Sequence, residues 1–349
     1  MTKKKSGINL RKYGSENIFI RAVFCFSVSA ILLFSAGCGT PSFPKDKLPE
    51  AVKTVCKAEY DMDVEVTVKG NTMGIYYPMK GLLDAGLGIS SEAWDTISNL
   101  LLIASRVVLS TDADIKFYCV IAQDARLPEL QVVIIKYVTD VKFGMYQNIS
   151  RSESFRRTLF TINLTPQAKK ERSIEKIFNN FSVEEGTRQG VMDDFFRSPP
   201  TRLSDIGYWR DRFYLKDITM EEFLAAQIAN RIKLVFRGEE ELKKLFDYEN
   251  VESDFVSTDE MKVFLVKFNI ADQNVNENEE NQNQRKVEEI LKIANDVVLG
   301  YKFKNFDFLM LEDQLENASL KVTEQNVCNF SKKKESVKNV VQAPPGYFG

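Results

Sequence analysis

The feature that most constrains this chain is a repeat. Residues 103–109 read "IASRVVL" and residues 293–299 read "IANDVVL", five of seven positions identical at a spacing of 190. The same spacing carries Ile97, Leu100, Leu101, Ala104, Val107 and Val108 onto Val287, Ile290, Leu291, Ala294, Val297 and Val298. Steps of three and four place each set on one face, so both segments read as amphipathic helices with matching buried stripes. In the first helix, expected over Ser90 to Leu109, that face is marked by Trp94, Ile97, Leu101, Ala104 and Val108.

Amphipathic helices share such stripes cheaply, so the neighbours decide. After each helix comes an aromatic-rich strand, "DIKFYCVIAQD" (114–124) or "NFDFLMLED" (305–313), and then a polar turn. A second strand follows, "ELQVVIIKYV" or "SLKVTEQNV". Ahead of the first helix, "VEVTV" and "TMGIYY" flank "KGN", a hairpin signature, and "LPEAVKTVCKAEY" reads as a helix. Ahead of the second lie the strand "MKVFLVKFNI" and a helix from Met220 to Phe236. The order agrees twice. The expectation is an α+β fold made of duplicated α-β-β-α-β-β units, with antiparallel sheets and helices packed on one face. The first unit spans residues 50–164 and the second 218–330, with a connecting region at 165–217.

Two helix starts carry capping-box spacing, Ser150 with Glu153 and Thr219 with Glu222. The stretch "ADQNVNENEENQNQ" (271–284) reads as a polar loop, and 331–349 as a disordered tail.

The N-terminus has a different logic. Residues 1–21 carry a net charge of +5, and Ala22 to Gly37 carry none. Sixteen helical residues rise about 24 Å, short of a hydrocarbon core of about 30 Å. A basic start, a short apolar middle and a small-residue end form a secretory signal over residues 1–37. The stretch Ser35-Ala36-Gly37-Cys38 resembles the lipobox of bacterial lipoproteins, with Ser35 in place of the usual Leu. That resemblance implies acylation of Cys38, cleavage just before it and attachment to a membrane through lipid. Gly39 rather than Asp implies transfer to the outer membrane, facing the periplasm, in a diderm cell. Two or more acyl chains anchor a protein stably where one does not. Residues 38–49, with Pro41, Pro44 and Pro49, read as a semi-rigid tether.

Composition excludes more than it assigns. The chain has no histidine, which removes imidazole bases, Ser-His-Asp and Cys-His catalysis, and imidazole-ligated zinc. Beyond residue 37 the net charge is −7, which offers no general attraction for nucleic acid. Cys56, Cys119 and Cys328 remain in the body; Cys119 falls in phase with core positions, and a Cys56–Cys328 bridge is one conceivable pairing.

Catalytic motifs are incomplete. "GLLDAGL" (81–87) has two glycines at P-loop spacing but lacks the Lys and Ser/Thr. Ser173 and Lys176 have S-x-x-K spacing without partner motifs. Asp272, Asn274 and Asn276 start like a calcium loop, but Glu277 stands where Gly is obligatory and Asn283 where Glu should close it. Asp112/Asp114 and Asp193/Asp194 are acidic pairs of the kind a glycosidase could use. The densest cluster of aromatic and arginine side chains is Tyr208, Trp209, Arg210, Arg212, Phe213 and Tyr214, the candidate binding surface. The sequence therefore points to a lipid-anchored binding or scaffolding protein of the cell envelope, with no cofactor, no metal site and an envelope protein or glycan as partner. The alternative is a carboxylate-based hydrolase acting on peptidoglycan or polysaccharide.

Overall fold

A computed structural model describes residues 42–86, 88–273 and 279–333; the apolar segment, Cys38 and the tail beyond Lys333 lie outside the described residues. The first unit opens with α1 (Leu48–Tyr60), which carries Pro49 in its first turn and ends on Asp61 in the left-handed conformation. The hairpin β1 (Glu65–Lys69) and β2 (Thr72–Met79) follows. Next comes α2 (Ser91–Leu109), capped by Ser90, whose hydroxyl accepts from the Ala93 N–H at 3.2 Å. Then come β3 (Phe117–Asp124), β4 (Leu130–Tyr137), α3 (Val138–Met145), α4 (Arg151–Arg156) and β5 (Leu159–Leu164). The five strands form one sheet in sequence order.

The connecting region holds α5 (Pro166–Phe181), α6 (Glu185–Phe195) and a short hairpin, β6 (Gly207–Trp209) and β7 (Arg212–Tyr214). The second unit comprises α7 (Met220–Gly238), α8 (Glu240–Leu245), β8 (Phe246–Ser257), β9 (Lys262–Asp272), α9 (Glu279–Gly300), β10 (Phe308–Asp313), β11 (Ala318–Thr323) and α10 (Glu324–Lys333). Its four strands form a sheet in the order β11-β10-β9-β8. The chain is an α+β protein.

Both sheets share one pairing scheme. The first and second strands are antiparallel, the second and third parallel, the third and fourth antiparallel. The central parallel pair departs from the expected all-antiparallel sheets. Tight turns join β1 to β2 and β3 to β4, but a whole helix joins β2 to β3, and that return brings the next strand in parallel.

Equivalent hydrogen bonds recur in the two units. The N–H of Lys116 donates to Asn71 O, and that of Asp307 to Lys262 O, both at 2.8 Å. Asp124 Oδ1 accepts from the N–H groups of Arg126 and Leu127 at 2.7 and 3.1 Å, and Asp313 Oδ1 from those of Leu315 and Glu316 at 3.0 and 3.3 Å. In both units, therefore, an aspartate ends the third strand by capping its own turn. The remaining oxygens diverge: Asp124 Oδ2 accepts from the Leu82 N–H, while Asp313 Oδ2 lies 3.1 Å from the ammonium of the buried Lys286.

Helices α1 and α2 cover one face of the first sheet through Val52, Cys56, Leu100, Ala104 and Val107. Helices α7 and α9 cover one face of the second through Ile228, Ile232, Ile290 and Val297. The far face of the first sheet is closed by the connecting hairpin and by Phe223 of α7, which packs with Tyr76, Phe117, Ile121 and Tyr208. Thus α7 serves two cores. Burying one such ring contributes roughly 1.5–3 kcal/mol.

Other expectations need correction. Trp94 is 40% exposed and meets Phe160 edge-on, because the first turn of α2 lies at the rim of the sheet. The described part of the tether lies against the body: the Lys45 N–H donates to Asp112 Oδ1 at 2.7 Å, and Phe43 bridges to Thr111. Residues 279–284 belong to α9 and residues 331–333 to α10, so helix reaches into the expected loop and tail. Cys56 carries a free, buried thiol, so no Cys56–Cys328 bridge forms; Cys119 is a free thiol in the core, as its phase suggested. Among the described residues no helix is long and apolar enough to cross a membrane.

Candidate functional site

The aromatic cluster is assembled mainly as packing. Arg210 and Asp211 both have left-handed φ, 50° and 54°, the turn that a two-residue hairpin loop requires. Strand alternation then splits the side chains. Tyr208 is buried and stacks on Tyr76 with ring centroids 3.6 Å apart, and Phe213 meets Tyr208 edge-on at 5.0 Å. Burial pushes the Tyr76 hydroxyl up to about 12 and raises Tyr208 too, so both rings stay neutral. Tyr214 packs with Phe178, Met192 and Phe196. Trp209 donates its indole N–H to Glu171 Oε2, and Arg210 binds the same carboxylate. Arg210 and Arg212 are exposed and Trp209 is half-buried. The six candidates therefore do not form one open surface. Tyr208 and Phe213 seal the hairpin onto the first sheet, while Trp209, Arg210, Arg212 and Tyr214 bond or pack within the connecting region.

The backbone holding that seal is specific. Tyr208 N–H donates to Gln131 Oε1 at 3.1 Å, and the Gln131 amide donates back to Tyr208 O, so one side chain imitates a strand neighbour. A Cβ on Gly207 would stand 3.0 Å from Gln131 Oε1. At the other end, Asp217 accepts from the Asn71 N–H at 2.8 Å and caps the β1–β2 turn, where Gly70 has φ +58°.

A concavity lies elsewhere. A cleft of about 540 Å³ opens between the two units. One wall is the β4–β5 side of the first sheet: Gln131, Val133 and Ile135 of β4, beside Leu159, Thr161 and Asn163 of β5. The opposite wall is β8 from Val251 to Val256, an outermost strand of the second sheet. Ala225, Ala226 and Ala229 of α7 form the floor, their small side chains leaving the space open. Three carboxylates stand at the cleft, and each faces a cation. Glu222 completes the capping box with Thr219 and binds Lys216. Glu252 and Asp254 lie 3.9 and 3.7 Å from Arg202.

Beneath the joint between units runs a buried ionic network. Arg157 donates to Asp140 Oδ1 and to Glu153 Oε1, both at 2.8 Å. Arg231 of α7 reaches the same Glu153 oxygen at 2.8 Å, and the Tyr301 hydroxyl donates to Asp140 Oδ2 at 2.6 Å. The Arg157 guanidinium lies over the Tyr301 ring, 4.7 Å from its centre. Burial raises the Asp140 carboxyl above the ordinary aspartate value despite the bonds from Tyr301 and Arg157. Burial also pushes Glu153 upward, but Arg157 and Arg231 together outweigh it and hold it below the ordinary glutamate value. The Glu153 carboxylate is thus drawn away from the Ser150 cap, which keeps only its half of the expected box, the bond to the Glu153 N–H.

The remaining sequence candidates are surface structure. Ser173 donates back to Lys169 O, four residues earlier on α5, and Lys176 is exposed. Asp84 accepts from the N–H groups of Gly86 and Gly88, making the glycine stretch a turn. Asp112 caps Lys45, Asp114 pairs with Lys116, Asp193 accepts from Gln189 and Asp194 pairs with Arg197. Of the calcium-like positions, Asp272 ends β9, Asn283 lies on α9, and residues 274–278 lie outside the described residues. Among the described residues no three His, Cys, Asp or Glu side chains are grouped to hold a metal ion. Compared with protein-family models, with curated proteins and with solved structures, the chain matches none.

Reading by motif missed the cleft, because its walls come from β4, β5 and β8, far apart in sequence. One signal was nonetheless present. Residues 246–260, "FDYENVESDFVSTDE", contain six acids and no Lys or Arg.

Proposed function

We propose that the chain is a lipid-anchored cell-envelope protein that binds a partner in the cleft between its two units and performs no chemistry of its own. The anchor rests on the basic N-terminus, the short apolar segment and the Ser35-Ala36-Gly37-Cys38 stretch. The binding role rests on a single observation: a cleft of about 540 Å³ with a sheet face of mixed apolar and polar side chains on one side and an outermost strand on the other. Its carboxylates serve as ion-pair and capping groups.

Two measurements test this reading. Intact mass of the membrane-extracted protein should give a chain that starts at Cys38 and carries acyl mass; an unprocessed Met1 would refute the anchor. A photo-crosslinking residue placed at Ala229 should give an adduct in intact cells, and one at the distant, exposed Glu50 should not. Equal yields at both positions would remove the cleft as the binding site.

A further inference from the structure

We infer that the occupant of this cleft is an extended polypeptide segment bearing lysine or arginine, bound as an added strand along β8. The inference rests on the binding reading above and specifies its ligand. Among the described residues β8 pairs with β9 alone, so alternate residues along it turn backbone N–H and C=O groups away from the sheet, and residues 251–256 of this strand line the cleft. The natural complement of a row of backbone donors and acceptors is another backbone. Six residues at about 3.3 Å each give a docking edge of about 20 Å, enough for an extended segment of similar length. Side chains on one face of that segment would meet Val133, Ile135 and Leu159, while the alanine floor leaves room for the backbone. Ser253 Oγ is buried at this wall without a hydrogen-bond partner.

Charge selects the segment. Asp247, Glu249, Glu252, Asp254, Asp259 and Glu260 make residues 246–260 uniformly acidic. Lys233 also lines the cleft, and the cations nearest the strand compensate only in part. Arg202 stands beyond hydrogen-bond distance of Glu252 and Asp254, Lys267 opposite Glu252 pairs with Glu312 at 3.4 Å, and Arg237 lies over the Tyr248 ring. Two copies of such a strand would repel each other, so pairing of β8 with a second copy is disfavoured and a basic strand is favoured.

The test uses the full-length protein in detergent and a fluorescent ten-residue peptide of alternating lysine and threonine. Binding should be saturable, weaken at least tenfold when every second peptide nitrogen is methylated, and fall steeply with salt. The alternating glutamate and threonine peptide should not bind. The double variant E252K/D254K alters solvent-facing groups and should invert the preference, binding the acidic peptide in place of the basic one. Undiminished binding of the methylated peptide, or displacement by spermine at matched charge, would show charge attraction without strand addition and overturn the inference. So would absence of binding, in which case the acids serve only to keep the edge from aggregating. An adduct from Ala229 together with no peptide binding would leave the cleft reading standing and remove this one; no adduct and no binding would remove both.

Discussion

Replacing Arg157 by Met tests the joint between the two units most severely. The guanidinium makes two charge-assisted hydrogen bonds at 2.8 Å, to Asp140 and Glu153, and a longer one to Gly300 O at 3.3 Å. Asp140 and Arg157 are both less than a tenth exposed, so removing the cation leaves a carboxylate without its counter-charge in a dry setting. Glu153 keeps Arg231, and Asp140 keeps the Tyr301 hydroxyl and the charge of nearby Lys136. Breaking one side of a buried pair costs about 3–5 kcal/mol. The retained partners place this variant at the lower end, about 3 kcal/mol, or more than a hundredfold in the unfolding constant.

The pH dependence is part of the prediction. Asp140 already titrates above its ordinary value, so its contribution to stability is complete below the unfolded aspartate value and declines as pH rises through the raised one. Without Arg157 that value rises further, and the variant should recover part of its loss on going from pH 7.5 to pH 5. Glu153 works in the opposite sense: its contribution is present above the ordinary glutamate value and is lost as pH falls through the lowered one. The variant's own stability should therefore fall again below about pH 4.5 as Glu153 protonates. Urea unfolding followed by tryptophan emission measures both effects, and R157M/D140N should restore most of the loss at pH 7.5. A loss for R157M under about 1 kcal/mol, or one independent of pH, would refute the claim that this network pins the units together.

Three further outcomes follow from local geometry. Gly74→Val would bring a Cβ to 3.0 Å from Leu215 and 3.4 Å from Phe213; about 1–3 kcal/mol of stability should be lost and Trp209 emission should shift to the red as the hairpin lifts. Thr219→Ala removes one arm of a reciprocal box and should cost about 1 kcal/mol, against about half that for Ser150→Ala, as read from urea midpoints. Burial, with help from the charge of Glu59, pushes the Cys56 thiol up to about 11, and burial alone raises Cys119. Mass mapping should accordingly find both unmodified by iodoacetamide at pH 8 in the native protein and both modified in urea; rapid native labelling of Cys56 would contradict its burial.

Local pattern made much of this fold legible. The helix over Ser91–Leu109, the turn at Gly70 and the strand ending in Asp124 all follow from spacing, because period and turn residues are local properties. The parallel pairing of β2 with β3 was not legible, since it depends on where a crossover sets the chain down. Nor was β5 as a fifth strand, whose residues alternate poorly because its edge position leaves Thr161, Ile162 and Asn163 exposed. For the site, the residue types in Tyr208–Tyr214 pointed to an interface, and they do form one, but within the chain. The same chemistry suits an internal seal and an external partner, and composition cannot separate them. The cleft needed three dimensions; only the one-signed charge of β8 announced it.

That α7 belongs to two cores also sets a timetable for the nascent chain. All five strands of the first sheet have been synthesised once Leu164 is added, yet the face occupied by Tyr76, Phe117 and Ile121 waits for Tyr208, for Phe223 and at last for Tyr301. The interval is roughly 140 residues, on the order of ten seconds at typical rates of synthesis. During it, a sheet with one greasy side is bare. Whatever accompanies the nascent chain must shield that side, and a truncation anywhere before residue 220 should yield a product that clumps instead of a smaller folded protein.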